Sequence, residues 1–247
     1  MQRNFVFIGL LLALTWLPER LPADGAPPEL ASLLSNTRQL TFAGRRAGEG
    51  YFSADGRRMI FQSERDAANP FYQIHLLDLE TGDIERLSPG YGKTTCAWVH
   101  PAGDRVLYAS THEDPDARTK MQTEIDFRAS GQQRRYSWDY DETFELYDQD
   151  LASGERRNLS NTPGYDAEGA YSPDGSQIVF ASNRRAYLGE MSAAEESIFE
   201  HDKSYMMDLY LMDADGSKVR RCLLYTSPSP RDLLSHLVCR LLRVNRG

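Results

Sequence analysis

Tyr171-Ser-Pro-Asp-Gly175 is a turn sequence, and Gln177-Ile-Val-Phe-Ala181 follows it as a strand-like run. Proline presets φ, aspartate bonds nearby backbone and glycine takes positive φ, so the first stretch favours a tight turn. The same pair of features occurs twice upstream. The upstream turns are Phe52-Ser-Ala-Asp-Gly56 and His100-Pro-Ala-Gly103, and the runs after them are Arg58–Gln62 and Arg105–Ala109. The chain therefore contains an internal repeat.

Two further sequence features recur, the first in all three copies of the repeat and the second in the first two. The first is an Asp-to-Gly turn that follows an alternating strand, as in Asp150–Gly154. The second closes the unit, as in Asn158–Ser160, and Arg38–Thr41 resembles an early, unpaired copy of it. Four short strands per unit, at a period of about 40–50 residues, are typical of propeller blades. The sequence therefore predicts an all-β fold, a partial β-propeller of about three four-stranded blades that is truncated at its C-terminus.

The spacing of the three turns locates two inserted loops. The turn glycines of the first and second units are 47 residues apart, whereas those of the second and third units are 72 apart. Relative to one propeller period, the second interval has about 25 extra residues. We place them between the second and third strands of that blade, roughly at residues 112–143. The next blade has a smaller insertion at residues 184–207, in which Ser192–Phe199 has an N-cap residue and a short helical pattern.

The N-terminus has the features of an export signal. Residues 1–25 begin with a short, weakly basic stretch, continue with the apolar run Phe5–Leu17 and end in the small residues Ala23–Gly25. The apolar run is shorter than the about 20 residues that a membrane-spanning helix needs. We therefore predict a signal peptide, a periplasmic or secreted protein, and no membrane span after removal of the signal. A retained membrane anchor is the alternative.

The C-terminus does not continue the repeat. Cys222–Asp232 resembles the translation of a transposon-end sequencing adapter. We therefore expect residues 222–247 to be a non-native tail that lacks a propeller strand. The remaining organisation is a linker at residues 26–37 and a propeller fragment at residues 38–221. Within that fragment, residues 38–42 are expected to complete the last blade of the untruncated protein.

Charge and cysteine content disfavour some classes of partner and site. The chain has a net charge of −8, and residues 26–221 hold 22 basic against 33 acidic side chains. An acidic domain does not attract phosphate backbones, which argues against nucleic acid as a partner. Of the three cysteines, Cys96 alone precedes the tail, so we expect no disulfide within the propeller fragment. Its strand-like context, Thr94–Val99, is typical of a buried apolar thiol rather than a nucleophile.

Three stretches resemble the WD40-like repeat of the TolB family. They are Ser172-Pro-Asp-Gly175, Phe180-Ala-Ser-Asn-Arg184 and Leu209-Tyr-Leu-Met-Asp-Ala-Asp-Gly216. The resemblance covers about residues 36–221, although the first unit has Ala54 in place of the proline and the second unit has a His-Pro-Ala-Gly turn. It implies a propeller that acts as a protein-binding scaffold in the cell envelope, and we expect no cofactor. Because one fold hosts many functions, the resemblance is more specific for architecture than for activity.

Catalytic motifs are missing from the sequence. It contains no Gly-x-Ser-x-Gly elbow, no His-Glu-x-x-His motif, no Cys-x-x-Cys pair and no phosphate-binding glycine loop. The nearest pattern to a metal-ligand cluster, His112-Glu113-Asp114, is interpreted as a solvated acidic stretch, and no metal site is predicted. These observations favour a scaffold without chemistry of its own. The alternative is an N-terminal, substrate-gating propeller of a prolyl-oligopeptidase-like serine hydrolase, whose catalytic domain would follow downstream.

The insertion of the second unit contains the most unusual segment, Arg134-Arg-Tyr-Ser-Trp-Asp-Tyr-Asp-Glu142. It places three aromatic residues among three acids and two arginines, and aromatics and arginine are the residue types that carry binding hot spots. The alternative is that the aromatics pin the insertion onto its blade. Because both insertions and the blade linkers emerge on one side of a propeller, we expect a protein or peptide partner to bind there. The candidate binding residues are Tyr136, Trp138, Asp139, Tyr140, Asp141, Glu142, Asp166 and Glu168.

Overall fold

The computed structural model describes residues 35–134, 139–204 and 206–223. The chain divides into two units, Met1–Phe42 and Ala43–Gly247. In the first unit, residues 35–42 form no helix or strand, so the expected role of residues 38–42 in a complete propeller stays a prediction. The predicted signal peptide lies outside the described residues. No helix within the described ranges is long and apolar enough to cross a bilayer.

The structural unit Ala43–Gly247 contains, in its described part, three antiparallel sheets of four strands each. In each sheet the strands follow one another in chain order, which is the meander of a propeller blade. Blade 1 comprises β1 (Arg46–Phe52), β2 (Arg58–Glu64), β3 (Gln73–Asp78) and β4 (Ile84–Arg86). Blade 2 comprises β5 (Thr94–Val99), β6 (Arg105–Ser110), β7 (Glu145–Asp150) and β8 (Arg156–Asn158). Blade 3 comprises β9 (Asp166–Tyr171), β10 (Gln177–Ser182), β11 (Asp208–Asp213) and β12 (Arg220–Leu223). The predicted fold, a partial all-β propeller of three blades, is confirmed.

The repeated turns connect the first two strands of each blade. In blade 1, the Ser53 hydroxyl donates to the Asp55 carboxylate at 2.6 Å, and Gly56 completes the turn with a φ of 70°. A glycine adopts this left-handed backbone without steric cost. The turn of blade 3 repeats the contact between Ser172 and Asp174, at 2.5 Å. Short polar side chains therefore close both turns locally.

His100 replaces the turn serine in blade 2. Its Nδ1 accepts a hydrogen bond from the Ala102 amide at 3.1 Å, which takes over the local role of the serine. Its ring packs edge-on against Tyr171 of blade 3, with the ring centroids 4.7 Å apart. The histidine therefore joins neighbouring blades at this turn and has a structural role.

The blades stack through two apolar layers. Strand β6 contributes to both, because successive side chains of a strand point to opposite faces of its sheet. Val106 and Tyr108 pack in the layer between blades 1 and 2, whereas Leu107 and Ala109 pack in the layer between blades 2 and 3. All four side chains are fully buried. Blade 2 is thus covered on both faces, and burial of these layers stabilises the stack.

The inserted segments lie where the turn spacing predicts them. Helix α1 (Ala117–Ala129) lies between β6 and β7. Helices α2 (Arg184–Tyr187) and α3 (Ala193–His201) lie between β10 and β11. The predicted N-cap of α3 is confirmed, since Ser192 accepts from the Glu195 amide while the Glu195 side chain returns to the Ser192 amide. The sequence did not predict α1.

The outer strand of blade 3 extends past the predicted end of the native chain. Strand β12 pairs with β11 through Arg220–Leu211, Arg221–Tyr210 and Leu223–Leu209. The expectation that residues 222–247 lack a propeller strand is therefore wrong for Cys222 and Leu223. Residues 224–247 lie outside the described part of the chain. The physical reason is that an outer strand needs backbone pairing more than a specific side-chain pattern, so two further residues can continue the ladder.

Candidate functional site

The long connections of all three blades emerge on one side, which we call the insertion face. Because neighbouring strands are antiparallel, successive connections alternate between the two ends of a sheet. In its described part, the insertion face consists of the connections at 65–72, 111–134 and 139–144, and 183–204 and 206–207, and of the blade linkers at 87–93 and 159–165. The opposite side has the tight turns of the repeat. Loops held by a rigid scaffold are where binding residues concentrate.

Helix α1 docks onto the connection between β2 and β3. Arg128 donates to the buried Glu64 carboxylate at 3.1 Å and to the Pro70 carbonyl at 2.8 Å. Glu124, also buried, accepts from Arg128 at 2.7 Å and from Arg134 at 2.7 Å. The insertion of blade 2 is therefore fixed against blade 1 by charged hydrogen bonds.

Two of the predicted binding acids, Asp139 and Asp141, meet at one lysine. Lys93 lies 2.7 Å from Asp139 and 3.3 Å from Asp141. Asp141 is buried and also accepts from Lys120 at 2.9 Å and from the Thr143 hydroxyl at 2.8 Å. Burial alone would raise the pKa of Asp141, but these hydrogen bonds and the lysine charges lower it overall. Asp141 therefore holds the insertion in place, whereas Asp139 keeps most of its side chain in solvent.

Tyr140 and Glu142 join the two insertions. The Tyr140 hydroxyl lies 2.8 Å from the Tyr187 hydroxyl, and Tyr187 donates to Glu142 at 2.8 Å. Lys203 donates to the same carboxylate at 3.0 Å. The Tyr140 ring stacks on the buried Tyr165, with the centroids 5.7 Å apart. Tyr140 thus anchors its insertion while Glu142 stays exposed.

Asp166, a further predicted binding acid, is fully buried. It pairs with Arg184 at 2.8 Å, and the side chains are 0% and 7% exposed. Burial raises the pKa of Asp166 to about 6 against the favourable charge of Arg184. In this structure Asp166 connects β9 to the start of α2 and is out of reach of a partner at the surface.

Glu145 at the start of β7 is a second, half-buried acid beside Asp166. It accepts from the Ser160 hydroxyl and from the Thr162 amide. Burial, followed by the negative charge of Asp166, raises the pKa of Glu145 to about 7. In blade 1 the equivalent residue is Gln73, which accepts from Ser88 at 2.7 Å and from the Gly90 amide at 2.9 Å. The repeat thus makes the same contacts with a neutral amide and with a carboxylate.

Replacing Glu145 with glutamine should stabilise the protein at pH 8 and change little at pH 5. Because the folded pKa of Glu145 is raised, its protonated form stabilises the fold below about pH 4.5, and this contribution is lost as the pH rises through about 7. The expected gain at pH 8 is on the order of 1–2 kcal/mol after allowance for solvent screening. Urea unfolding of the full chain at both pH values measures it. An equal effect at pH 5 and pH 8 would contradict the assignment.

The inner strands form a second candidate site, the channel cavity. It has a volume of about 310 Å³ and is lined by Glu49, Tyr51, Cys96, Ala97, Trp98, Glu168, Gly169 and Ala170. These residues come from β1, β5 and β9, the first strand of each blade. The rings of Tyr51 and Trp98 lie side by side, with their centroids 4.7 Å apart. Predicted residue Glu168 therefore lies at the centre of the arc and not with the acids of the insertions.

Each inner strand has an irregularity at one repeated position. Glu49, Cys96 and Glu168 have φ angles of 49°, 48° and 58°, and the pairing with the neighbouring strand shifts register there in all three blades. A non-glycine residue in the left-handed region is uncommon, and bulges re-aim side chains. The three bulges therefore present a carboxylate, a thiol and a second carboxylate to one cavity.

The channel cavity has unbalanced negative charge. Among the described residues, Glu168 has no hydrogen-bond or ion-pair partner, and Glu49 accepts one hydrogen bond, from Tyr51 at 2.9 Å. Partial burial and the charge of Glu49 raise the pKa of Glu168. Burial, opposed by a hydrogen bond to Thr95, raises the pKa of Cys96 to about 11, so the thiol stays protonated and is a poor nucleophile. The cavity is suited to a positively charged group.

The structure separates His112, Glu113 and Asp114. His112 contacts the Ser110 hydroxyl, Glu113 accepts from Tyr147, and Asp114 pairs with Lys120. Within the described ranges, no group of three or more histidine, cysteine or acidic side chains could hold a metal ion. His75 is buried and stacks on Phe61, and burial lowers its pKa to about 4. His75 therefore packs within blade 1, and His112 packs at the start of the blade 2 insertion.

The sequence identified part of this arrangement. Tyr136 and Trp138 lie outside the described residues, so their predicted role is neither placed nor tested. Glu49, Tyr51 and Trp98 were missed. Alignment of the repeats could have found Glu49, because it precedes Ser53 by four positions, as Cys96 precedes His100 and Glu168 precedes Ser172.

No protein-family model matches the chain. Among solved structures, it is similar to a candidate TolB from Agrobacterium tumefaciens, with 19% identity, a TM-score of 0.47, and coverage of 74% of this chain and 50% of that one. TolB from Acinetobacter baumannii is 19% identical, with a TM-score of 0.44 and coverage of 71% and 32%. The propeller domain of the Trilobed protease from Pyrococcus furiosus is 9% identical, with a TM-score of 0.43 and coverage of 76% and 44%. The chain spans half or less of each of these proteins.

Proposed function

We propose that the protein is a periplasmic or secreted β-propeller that binds a protein or peptide partner through the insertion face and the channel cavity. The observation that carries the proposal is the Glu168 carboxylate, which has no hydrogen-bond or ion-pair partner in the described part of the chain and lies in a cavity walled by Tyr51 and Trp98. Carboxylates attract cations, and the faces of tyrosine and tryptophan rings add to that attraction. A lysine or arginine side chain of the partner fits this combination.

The charge of the whole chain supports a basic partner. The net charge of −8 favours encounter with a positively charged surface. Asp139 and Glu142 add exposed carboxylates on the insertion face, with side-chain exposures of 63% and 46%. We assign first contact with the partner to these exposed acids and the specific contact to Glu168. We further propose that Tyr136 and Trp138 act as binding hot spots in the insertion.

Glu168→Gln should weaken binding of a basic peptide at least about tenfold, because one charged hydrogen bond in a partly desolvated site is lost. The probe is an array of short peptides with a central arginine, lysine, citrulline or glutamate, tested against the full chain. We expect arginine and lysine peptides to bind and citrulline and glutamate peptides not to bind.

Glu155→Gln is the matched control. Glu155 is exposed in the turn between β7 and β8, on the side opposite the insertion face. The substitution therefore changes the net charge by the same amount as Glu168→Gln, but away from the site. Equal losses in both variants would indicate a general charge effect and would refute the channel assignment. Absence of binding to every peptide in the array would refute the proposed function for basic partners.

The role of the insertion aromatics has its own test. Replacing Trp138 and Tyr140 with alanine should lower partner binding if these residues are hot spots. The melting temperature is measured in parallel, because Tyr140 also stacks on Tyr165. Lost binding with unchanged melting supports a binding role. A lower melting temperature with unchanged binding would show that the aromatics only anchor the insertion.

A further inference from the structure

A second cavity, of about 400 Å³, lies beside the connection between β2 and β3. It is formed by the segment before β1, by that connection and by helix α1. Its charged lining residues are Arg45, Glu64, Arg65, Asp66 and Arg128. Three arginines and two acids thus line the cavity, which makes it locally positive in a chain whose net charge is −8.

Both carboxylates of the cavity are already engaged. Glu64 is buried and binds Arg46 and Arg128, the latter at 3.1 Å. Asp66 lies 3.8 Å from Arg86. Within the described ranges of the chain, neither carboxylate forms an ion pair with Arg45 or Arg65. The excess positive charge therefore resides on these two arginines.

Arg65 is the unusual member of the set. Its Nε and Nη2 atoms are buried and have no hydrogen-bond partner in the described structure. Buried polar groups in proteins are nearly always hydrogen-bonded, and an unpaired one destabilises the fold. The guanidinium carbon lies 5.4 Å from the centroid of the Phe61 ring, a contact that supplies no acceptor. A hydrogen-bond acceptor from outside the described residues would therefore supply the partner that Arg65 Nε and Nη2 lack.

The chain holds the Arg65 stem in a narrow space. Gly44 has a φ of 91°, and a Cβ atom there would lie 2.6 Å from the Glu64 carbonyl oxygen and 2.9 Å from Arg65 Cγ. Only glycine allows this approach of the backbone. Close packing of the stem limits the positions of the guanidinium group, which pre-organises it for a ligand.

We propose that this cavity binds a carboxylate group, with the Nε–Nη2 edge of Arg65 as a bidentate anchor and Arg45 as a second positive group. Two adjacent N–H donors on one edge of a guanidinium match the two oxygens of a carboxylate. The site is separate from the channel cavity, which takes a cation, so it recognises a different part of a partner or a different ligand. The bound carboxylate group belongs to a peptide or to a small organic acid.

Succinate is the probe, titrated into the full chain labelled with ¹⁵N in its arginine side chains. We expect the Nε–Hε resonance of Arg65 to shift downfield and to saturate, because its proton gains a charged acceptor. The resonance is assigned as the one that disappears in Arg65→Lys. An Arg65 resonance that does not move with succinate would overturn the proposal.

Arg65→Lys and Arg57→Lys form a matched pair of variants for calorimetric titration. Arg65→Lys keeps the charge but removes the bidentate edge, so succinate affinity should fall at least about tenfold. Arg57 is exposed in the turn on the opposite side, so Arg57→Lys should leave the affinity unchanged. Equal affinity of Arg65→Lys and the unchanged protein would refute the bidentate anchor. Binding of inorganic phosphate in preference to succinate would refute the choice of a carboxylate.

Discussion

Arg184→Met should lower the free energy of unfolding by about 3–5 kcal/mol, because it leaves the buried Asp166 carboxylate without its charged partner. The Arg184 guanidinium lies 2.8 Å from Asp166, and neither side chain has substantial solvent contact. The guanidinium also contacts two rings that stack on each other, 5.0 Å from the centroid of Phe180 and 5.2 Å from that of Tyr210. Methionine keeps the apolar contact with the rings and removes the charge, so the loss reports on the ion pair.

The double variant Arg184→Met with Asp166→Asn separates the stability that the ion pair contributes from the stability that packing contributes. A neutral asparagine costs much less to bury than an unpaired carboxylate, so the second substitution should restore a large part of the lost stability. Urea unfolding of the four species gives the coupling energy. Arg57→Met is the surface control, since its 3.9 Å contact with Glu80 is exposed and should contribute about 0–1 kcal/mol. A loss below about 1 kcal/mol for Arg184→Met would contradict the account.

The sequence predicted the blades well because their determinants are local. The turn residues bond to near neighbours in the sequence, as the Ser53 hydroxyl does with the Asp55 carboxylate, and strand alternation is visible within six residues. The cap of α3 is also local, because Ser192 and Glu195 are three positions apart. Helix α1 escaped prediction for the opposite reason. It is fixed by contacts such as Arg128 with Glu64, whose partners are 64 positions apart.

The candidate site could be predicted only in part, because whether an acidic side chain is buried or exposed depends on a partner that is distant in the sequence. Asp139 and Asp141 look equivalent in the sequence, yet Asp141 is buried against Lys120 while Asp139 is exposed. Asp166 and Glu168 are two positions apart and point to different places: one to Arg184 in the interior, the other to the channel cavity. The sequence around the two acids does not distinguish them, because the register at the bulge determines which side chain faces the channel, and only alignment of the three repeats locates the bulge.

Gly169→Ala should lower the free energy of unfolding by about 1–3 kcal/mol through overpacking of the layer between blades 2 and 3. A Cβ atom at position 169 would lie 2.7 Å from Leu107 Cδ2 and 3.0 Å from Leu146 Cδ2. Both leucines are fully buried, so neither can move aside without disturbing the layer. The backbone itself tolerates alanine, because the equivalent position of blade 2 is Ala97. The expected loss is therefore one of packing.

Gly50→Ala is the matched control, because Gly50 occupies the same bulge position in blade 1. The nearest atom to a Cβ there is Met59 Sδ at 3.1 Å, at the flexible end of a half-buried side chain. The reduced entropy of the unfolded chain should make this change neutral or stabilising by up to about 1 kcal/mol. The two alanine variants are compared by urea unfolding of the full chain. Equal losses in both variants would mean that a Cβ atom is unfavourable at this bulge position in general, and that contact with Leu107 and Leu146 does not cause the loss.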